Sequence, residues 1–499
     1  MKRTLIVFLG LLLTLSARAG TTPPAPTPAP SPTAVASPAS VVRVNSTNQN
    51  FDFFRPWQKK LPFSRRGLGA VIEGGRVLTS AELVANHTFI ELETASGGVK
   101  SAATVVAVDY ETNLALLAPT DPDFLAKSKP LGIDDQARVG DRIELLQLES
   151  NGSLATTAGT ITTITVANYP LDQIALLVFR VSLPLQFRDQ SFTLPAVRNG
   201  SLVGILMRYD TRSQTGDLVP APVIRRFLSA AVHQPFENFP RAGMSFAALR
   251  DPQLRRYVGI APDAGGVYVT EIVQGGPAQK AGLQEGDILL KVGEYAVDSD
   301  GNYEDPVYGR IPFSHLTNTV FPAGKTVEFT VFRNGKTVNL PVELEAPDPK
   351  SIISENLVAD QQPRYFILGG LVLQELSRSY LREWGPDWKK EAPQRLVYID
   401  EFQREQAADR GKVVFLSQIL PSDLAIGYDE LDHVIVKKVN DRQIRNLDDV
   451  AEAVKTPING YHKIEIEEDP GVMYIDADLA RDQEKALLDQ YQIPAASNL

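Results

Sequence analysis

The sequence predicts a mainly β protein built from about three folded units. Three observations carry that reading. Between residues 66 and 228, short apolar runs dense in β-branched residues are punctuated by Gly, Asn and Asp, as in many short strands joined by tight turns. The pair Asn334-Gly335 separates two such runs, 329–332 and 338–342, where a two-residue hairpin is expected. The chain has 499 residues, and roughly 100–200 residues make a domain.

Residues 1–19 read as a secretory signal. Lys2-Arg3 is the charged start, the apolar core 5–15 is too short to span a bilayer, and Ala17-Arg18-Ala19 fits a small-x-small cleavage site. No later run is apolar enough to cross a membrane, so the expected product is exported, to the periplasm or cell surface of a bacterium. Cysteine is absent, which excludes disulfides and a lipid-modified cysteine. Residues 20–45 form a Pro-rich linker, with Pro, Ala, Thr and Ser dominating 21–40 and favouring extended polyproline conformations.

The first folded unit covers 46–235. Its expected strands include 69–72, 89–92, 102–108, 114–117, 142–148, 159–166, 174–181 and 202–207, and 222–228 reads as a closing helix with proline in its first turn. The second covers 236–346: a strand at 266–272, a short helix at 277–283 ended by Gly282, then strands at 287–292 and 327–333. A polar stretch with three prolines makes 347–362 a linker. The third covers 363–499, with strands at 366–373, 413–416 and 433–439, a hairpin at 463–467 and 472–475, and a terminal helix at 482–490. In its helix 447–454, Leu447, Val450, Ala451 and Val454 share one face. The second and third units share an element order, a weak internal repeat.

Net charge is −10 with no basic block, a poor match to nucleic-acid binding. The five histidines show no metal-ligand spacing. The loop Asp298-Ser299-Asp300-Gly301-Asn302 puts its glycine fourth, where a calcium loop of the EF type needs it sixth, so it reads as a solvated acidic loop. No metal or cofactor is expected.

The stretch Val77-Leu78-Thr79-Ser80-Ala81-Glu82-Leu83-Val84 resembles the segment that carries the catalytic histidine of the HtrA/Deg serine proteases, with Glu82 at the histidine position. Asp109-Tyr110-Glu111-Thr112-Asn113-Leu114-Ala115 is similar to the segment holding the triad acid, here Asn113. Asp189-Gln190-Ser191-Phe192-Thr193-Leu194-Pro195 falls where the family has Gly-Asn-Ser-Gly-Gly-Pro, so Ser191 keeps the nucleophile position without its flanking glycines. A serine needs a base that later serves as acid, and a carboxylate with an unperturbed pKa of ~4.3 is a poor acid for that second step. Glycines beside the nucleophile allow the backbone turn that aims N–H groups at an oxyanion, and side chains there disfavour it. In a subtilisin-type triad, loss of the base alone costs ~10⁶ in turnover.

Two further segments resemble PDZ domains. Residues 239–246, 266–272 and Pro277-Ala278-Gln279-Lys280-Ala281-Gly282-Leu283-Gln284-Glu285-Gly286-Asp287 carry the first, and 365–372, 413–420 and 488–494 carry a second of the kind found in plant-type Deg proteases. The resemblance implies a trypsin-like double β-barrel followed by two PDZ-like α+β domains. It implies a peptide site in the first PDZ domain: Arg241, Ala242, Gly243 and Met244 as the carboxylate loop, the edge strand running to Phe246, and an opposite wall at 311–320 with Phe313, Leu316 and Val320 on the groove. It implies that the last domain serves assembly. Phe51, Phe53, Phe54 and Trp57 suit either a trimer contact or packing on their own barrel. The expected protein is a proteolytically inactive, trimer-based homologue that binds protein segments or C-termini. Two alternatives stand beside it: a serine endopeptidase using Glu82 as base, and a structural assembly subunit.

Overall fold

Val41, Val42 and Val44 open a strand that continues through Asn45-Ser46-Thr47-Asn48. It falls partly within the stretch read as linker, because its second half is too polar to register as a strand. Ser46 and Asn48 are nevertheless buried, and the Asn48 amide donates to the carbonyls of Leu83 (3.2 Å) and Ala85 (2.7 Å). The computed structural model describes residues 37–149, 151–171, 174–186, 193–232, 239–347, 352–403 and 411–499. The signal region, most of the proline-rich stretch, Ser191 and His233 lie outside the described residues.

Two closed six-stranded barrels make the first domain. One joins β1 (Val41–Asn48), β2 (Phe63–Ile72), β3 (Arg76–Thr79), β4 (His87–Thr94), β5 (Lys100–Asp109) and β6 (Leu114–Pro119). The other joins β7 (Arg142–Leu148), β8 (Leu154–Asn168), β9 (Ala175–Ser182), β10 (Leu194–Arg198), β11 (Ser201–Asp210) and β12 (Thr215–Pro220). Closure removes every open strand edge. The strand expected to open the first barrel, 67–72, is thus the end of its second strand. The helix Ala221–Ala231 closes the domain with Val223, Ile224 and Phe227 buried.

The next sheet has β13 (Met244–Ala248), β14 (Val267–Ile272), β15 (Ile288–Val292), β19 (Thr326–Arg333) and β20 (Lys336–Glu343) in that order, with β16 (Tyr295–Ala296) pairing to β15. A separate hairpin, β17 (Asn302–Asp305) and β18 (Gly309–Pro312), projects from it. Asn334 and Gly335 both take left-handed conformations (φ 50° and 79°), the geometry of a two-residue hairpin turn. Asp287, buried under Arg333 by two 2.6 Å hydrogen bonds, fastens the start of β15 to the end of β19.

The last sheet repeats this order as β22 (Leu371–Glu375), β23 (Val414–Ile419), β24 (Val434–Val439), β26 (Tyr461–Ile466) and β27 (Val472–Asp476), with β25 (Arg442–Gln443) paired to β24. Beyond β22 it adds β21 (Tyr365–Leu368) and β28 (Ser497–Asn498). Between β22 and β23 runs an unexpected helical insertion: Arg378–Leu381, Arg382–Trp384, Trp388–Glu391 and Gln394–Glu401. The terminal helix is longer than the sequence reading, Ala477–Tyr491. Among the described residues no helix is long and apolar enough to cross a membrane.

Phe53, Phe54 and Trp57 do not pack on their own barrel, one of the two roles expected of them. They lie in the β1–β2 connection and pack on the last domain of their own chain. The Phe54 ring meets Trp384 at 4.9 Å and Tyr380 at 5.8 Å, and Trp57 meets Tyr365 at 5.8 Å, all edge-on. Gln374 donates to the Phe53 carbonyl (3.1 Å) and Gln418 to that of Phe54 (2.6 Å). Phe51 stays within its loop, bridged to Lys59, whose ammonium lies 4.9 Å from the ring centre.

The helical insertion hangs on one buried ion pair. Arg378 donates to Asp400 at 2.8 and 2.9 Å, and Ser354 adds a 2.7 Å bond to the same carboxylate. Removing one member of such a pair leaves the other charge buried and unmatched. Asp400→Ala is therefore expected to destabilise the chain by about 3–5 kcal/mol, read as a lower denaturation midpoint in urea.

Candidate functional site

The short helix Ala81–Val84 and the turn Asp109–Asn113 meet across the mouth of the first barrel, bringing positions 82 and 113 together as the sequence reading required. The contact is through the backbone. The Glu82 N–H donates to Asn113 Oδ1 (2.9 Å), and the Ala81 N–H to the Asn113 carbonyl (3.1 Å). Asn113 is buried and left-handed (φ 56°), a conformation asparagine tolerates better than most residues. Asp109 holds the turn, accepting from the Glu111 N–H (2.9 Å) and the Thr112 hydroxyl (2.7 Å).

The Glu82 side chain is half exposed and faces Arg65 at 4.0 Å, while the same guanidinium donates to the Glu82 carbonyl. Ser80 and Thr193 hydroxyls hydrogen-bond each other at 2.7 Å. Together with Arg66 and Asn113 these groups line an open cleft of about 470 Å³. No imidazole enters it among the described residues. His87 is engaged with the Val84 carbonyl through Nδ1 (2.9 Å), and His315, His433 and His462 lie in the later domains. Ser191, at the nucleophile position, lies outside the described residues, two places before Thr193.

In the second domain the expected peptide groove is partly formed. Gly243 sits at φ 74°, and a Cβ there would come within 3.1 Å of Pro277 Cδ. The carbonyls of Ala242 and Gly243 accept from Ala278 and Val273 N–H groups (both 2.9 Å), which fixes the Arg241–Met244 loop against the following helix. Arg241 itself does not serve the groove. Its guanidinium is given to Glu111 of the first domain (2.9 Å), where the Phe239 N–H also donates (3.2 Å).

The wall at 311–320 is helical only over its last residues, with a π-type turn at Leu316–Val320 following β18. Phe313 and Leu316 are 2% and 1% exposed, so they are core. Val320 is 45% exposed and Phe246 37%, and Met244 is half buried. The Phe246 ring lies on Phe313 at 4.8 Å and against Gly301, where a Cβ would come within 2.7 Å of it. Of the residues expected to line the groove, Met244 and Val320 thus keep exposed or half-exposed side chains, as does Phe246.

Sequence reasoning did not find what holds this wall. Arg226 donates to the Thr319 carbonyl (3.2 Å) and stacks on Phe239, Asn318 donates to the Ala175 carbonyl (2.9 Å), and the Tyr308 hydroxyl donates to that of Asp135 (3.0 Å). The groove helix is thus seated on the second barrel. In the last domain the equivalent strand, β22, has its outer edge taken by β21, so strand addition there is pre-empted by the chain itself. The acidic loop is closed by arginine: Arg310 reaches Asp298 (2.6 Å) and Asp300 (2.7 Å), and Arg250 also pairs with Asp300. Among the described residues no group of three or more His, Asp or Glu is arranged to hold a metal.

Residues 240–344 and 355–498 each match the family described as PDZ domain. Over 460 residues the chain is 25% identical to a putative mitochondrial protease Do-like 3 of Arabidopsis thaliana, covering 92% of this chain and 79% of that protein. It is 25% identical over 470 residues to a chloroplastic protease Do-like 2 of the same plant, covering 91% and 74%. Among solved structures it resembles the HtrA-type protease AlgW with tripeptide (20% identity, TM-score 0.49, 63% of this chain and 96% of that one). It also resembles a serine endoprotease from Yersinia pestis (18%, TM-score 0.42, 64% and 100%).

Burial pushes His315, beside the groove turn, down to about 4, while Asp305 opposes the shift. Its ring lies near Tyr303 and Tyr308, and its Nδ1 has no partner. A histidine held below its unfolded value stabilises the fold above about pH 6.5 and loses that contribution as pH falls through about 4. His315→Phe should therefore flatten the loss of thermal stability between pH 6.5 and 4 relative to the unaltered chain, read by melting curves across that window.

Proposed function

This chain belongs to the HtrA/Deg family, and we propose that it is an exported, proteolytically silent member that holds extended protein segments or C-termini through its first PDZ domain. The observation that carries the proposal is the state of position 82. A glutamate stands there, its amide is spent on Asn113 and its carboxylate faces Arg65. General-base chemistry on a serine needs a proton acceptor that then protonates the leaving amine. An arginine-paired carboxylate is suited to neither half, and Asn113, being neutral, has no charge with which to stabilise an imidazolium.

The binding role is supported by the place of β13 at the end of its sheet among the described residues, and by a carboxylate loop whose Gly243 backbone is already in place. A peptide added to that edge gains main-chain hydrogen bonds along the strand, with Met244 and Phe246 setting side-chain preference. The chaperone, adaptor and regulator roles all rest on this one capacity. The family implies a trimer-based assembly, and Phe54, although packed on the last domain, keeps a partly exposed ring.

Two measurements test the proposal. Casein and peptide-library turnover by the purified protein should stay at background and be the same for Ser191→Ala; serine-dependent turnover would overturn the silent reading and make Glu82 the next residue to change. Val320→Glu should weaken binding of C-terminal peptides about tenfold in fluorescence anisotropy without changing the melting temperature, because Val320 is exposed and lies on the wall assigned to the groove by the PDZ resemblance. Unchanged affinity would remove the first PDZ domain as the binding site.

A further inference from the structure

Asp360 falls in the stretch read as a linker but lies within the segment 355–498 that matches the last PDZ domain; far in sequence from the barrels, it nevertheless touches both loops that frame the cleft. Its N–H donates to Asn86 Oδ1 (2.7 Å), and its Oδ1 accepts from the Asn86 N–H (2.6 Å), a reciprocal pair. Asn86 closes the turn that follows the helix Ala81–Val84, which carries Glu82. The other carboxylate oxygen accepts from the Tyr110 hydroxyl, in the turn that carries Asn113. Asp360 is itself left-handed (φ 59°), so its backbone is bent to make these contacts. Two residues on, Gln362 donates to the Pro56 carbonyl (3.1 Å), fixing the same stretch to the β1–β2 connection. That connection is the one seated on the last domain through Phe54, and its Asn50 accepts from the Asn86 amide (3.0 Å).

We infer that the C-terminal domain sets the geometry of the cleft, with its own N-terminal stretch as a strap across the two loops, Asp360 as the point of attachment and Phe54 as the catch. The adjacent residue, Glu111, is held by Arg241 and Phe239 at the start of the first PDZ domain. The turn Asp109–Asn113 is therefore a junction of all three domains, with neighbouring residues answering to different ones. This gives the last domain a task within a single chain, independent of any assembly and of what the first PDZ domain binds. When the last domain is docked, the Glu82–Asn113 contact is braced from outside. When it swings away, both loops lose their outer support together.

Hydrogen–deuterium exchange of the full chain tests this. Asp360→Ala should speed exchange about tenfold in peptides covering 81–88 and 109–114, including the Glu82 amide, while core strands of all three domains keep their protection. Phe54→Ala is the discriminating variant, since its ring packs on Tyr380 and Trp384 and on neither loop. It should speed exchange in the same two segments by loosening the docked domain. Unchanged exchange at 81–88 and 109–114 in both variants overturns the inference. So does an effect of Asp360→Ala that Phe54→Ala fails to reproduce, or a rise spread evenly over the whole chain.

Discussion

The hydrogen bond from the Glu82 N–H to the Asn113 side chain holds the first domain's cleft together, and much of the rest is arranged around it. It joins a helix of one turn to a turn of five residues, neither of which is stable alone. In an active triad the acid at this position has two duties: to fix the neighbouring backbone and to orient and stabilise an imidazolium. The first duty is the one seen here, and an amide oxygen performs it as well as a carboxylate. Asparagine also suits the left-handed backbone that position 113 adopts. A charged aspartate at this buried site would carry a desolvation cost with no cation to offset it.

Several strands of the PDZ-like sheets were legible because their turns are written in local chemistry, although the single strand read at 366–373 is two antiparallel strands, β21 and β22, folded at Gly369-Gly370. Asn334-Gly335 supplies two left-handed residues at a hairpin, and the Gly282 and Gly286 breaks frame a helix and a strand start. Positions 82 and 113 were legible because their flanking residues carry the family pattern. Strand β1 was not, since its alternation runs through Ser46 and Asn48, buried polar residues, the second of which is held by carbonyls some 35 residues away. Nor was the helical insertion after β22. Its segments are cut by Gly385, Pro386 and Pro393 into pieces too short to show a helical period. The docking of Phe54 links residues more than 300 positions apart, and no local pattern encodes such a contact.

Arg241 shows how a sequence motif can place a residue correctly and still mislead about its side chain. The backbone of the loop does what the PDZ resemblance implies, with Gly243 in the left-handed region. The guanidinium, however, is spent across a domain boundary on Glu111, whose side chain is only 13% exposed. At that burial the pair is worth more than a surface ion pair, and breaking either half would leave a charge poorly solvated. A ligand carboxylate would have to compete with Glu111 for Arg241. Backbone N–H groups of the loop are the cheaper donors.

The domain contacts are polar and directional: Asn86 with Asp360, Asn318 with a carbonyl of β9, Gln374 and Gln418 with carbonyls of the β1–β2 connection. Each such bond contributes about 1 kcal/mol net, and an edge-on aromatic pair about 0.5–1.5 kcal/mol beyond its burial. Contacts of this kind fix orientation more strongly than they resist separation, which suits domains that must be positioned and yet can be released. The cleft and the two PDZ-like sheets differ in how far their polar groups are already paired. In the cleft, Ser80, Glu82, Asn113 and Thr193 already have partners in one another or in Arg65, so an incoming peptide would have to break bonds to make bonds. At β22 the strand edge is filled by β21. Among the described residues, β13 ends its sheet with no further strand beyond it, in contrast to β22.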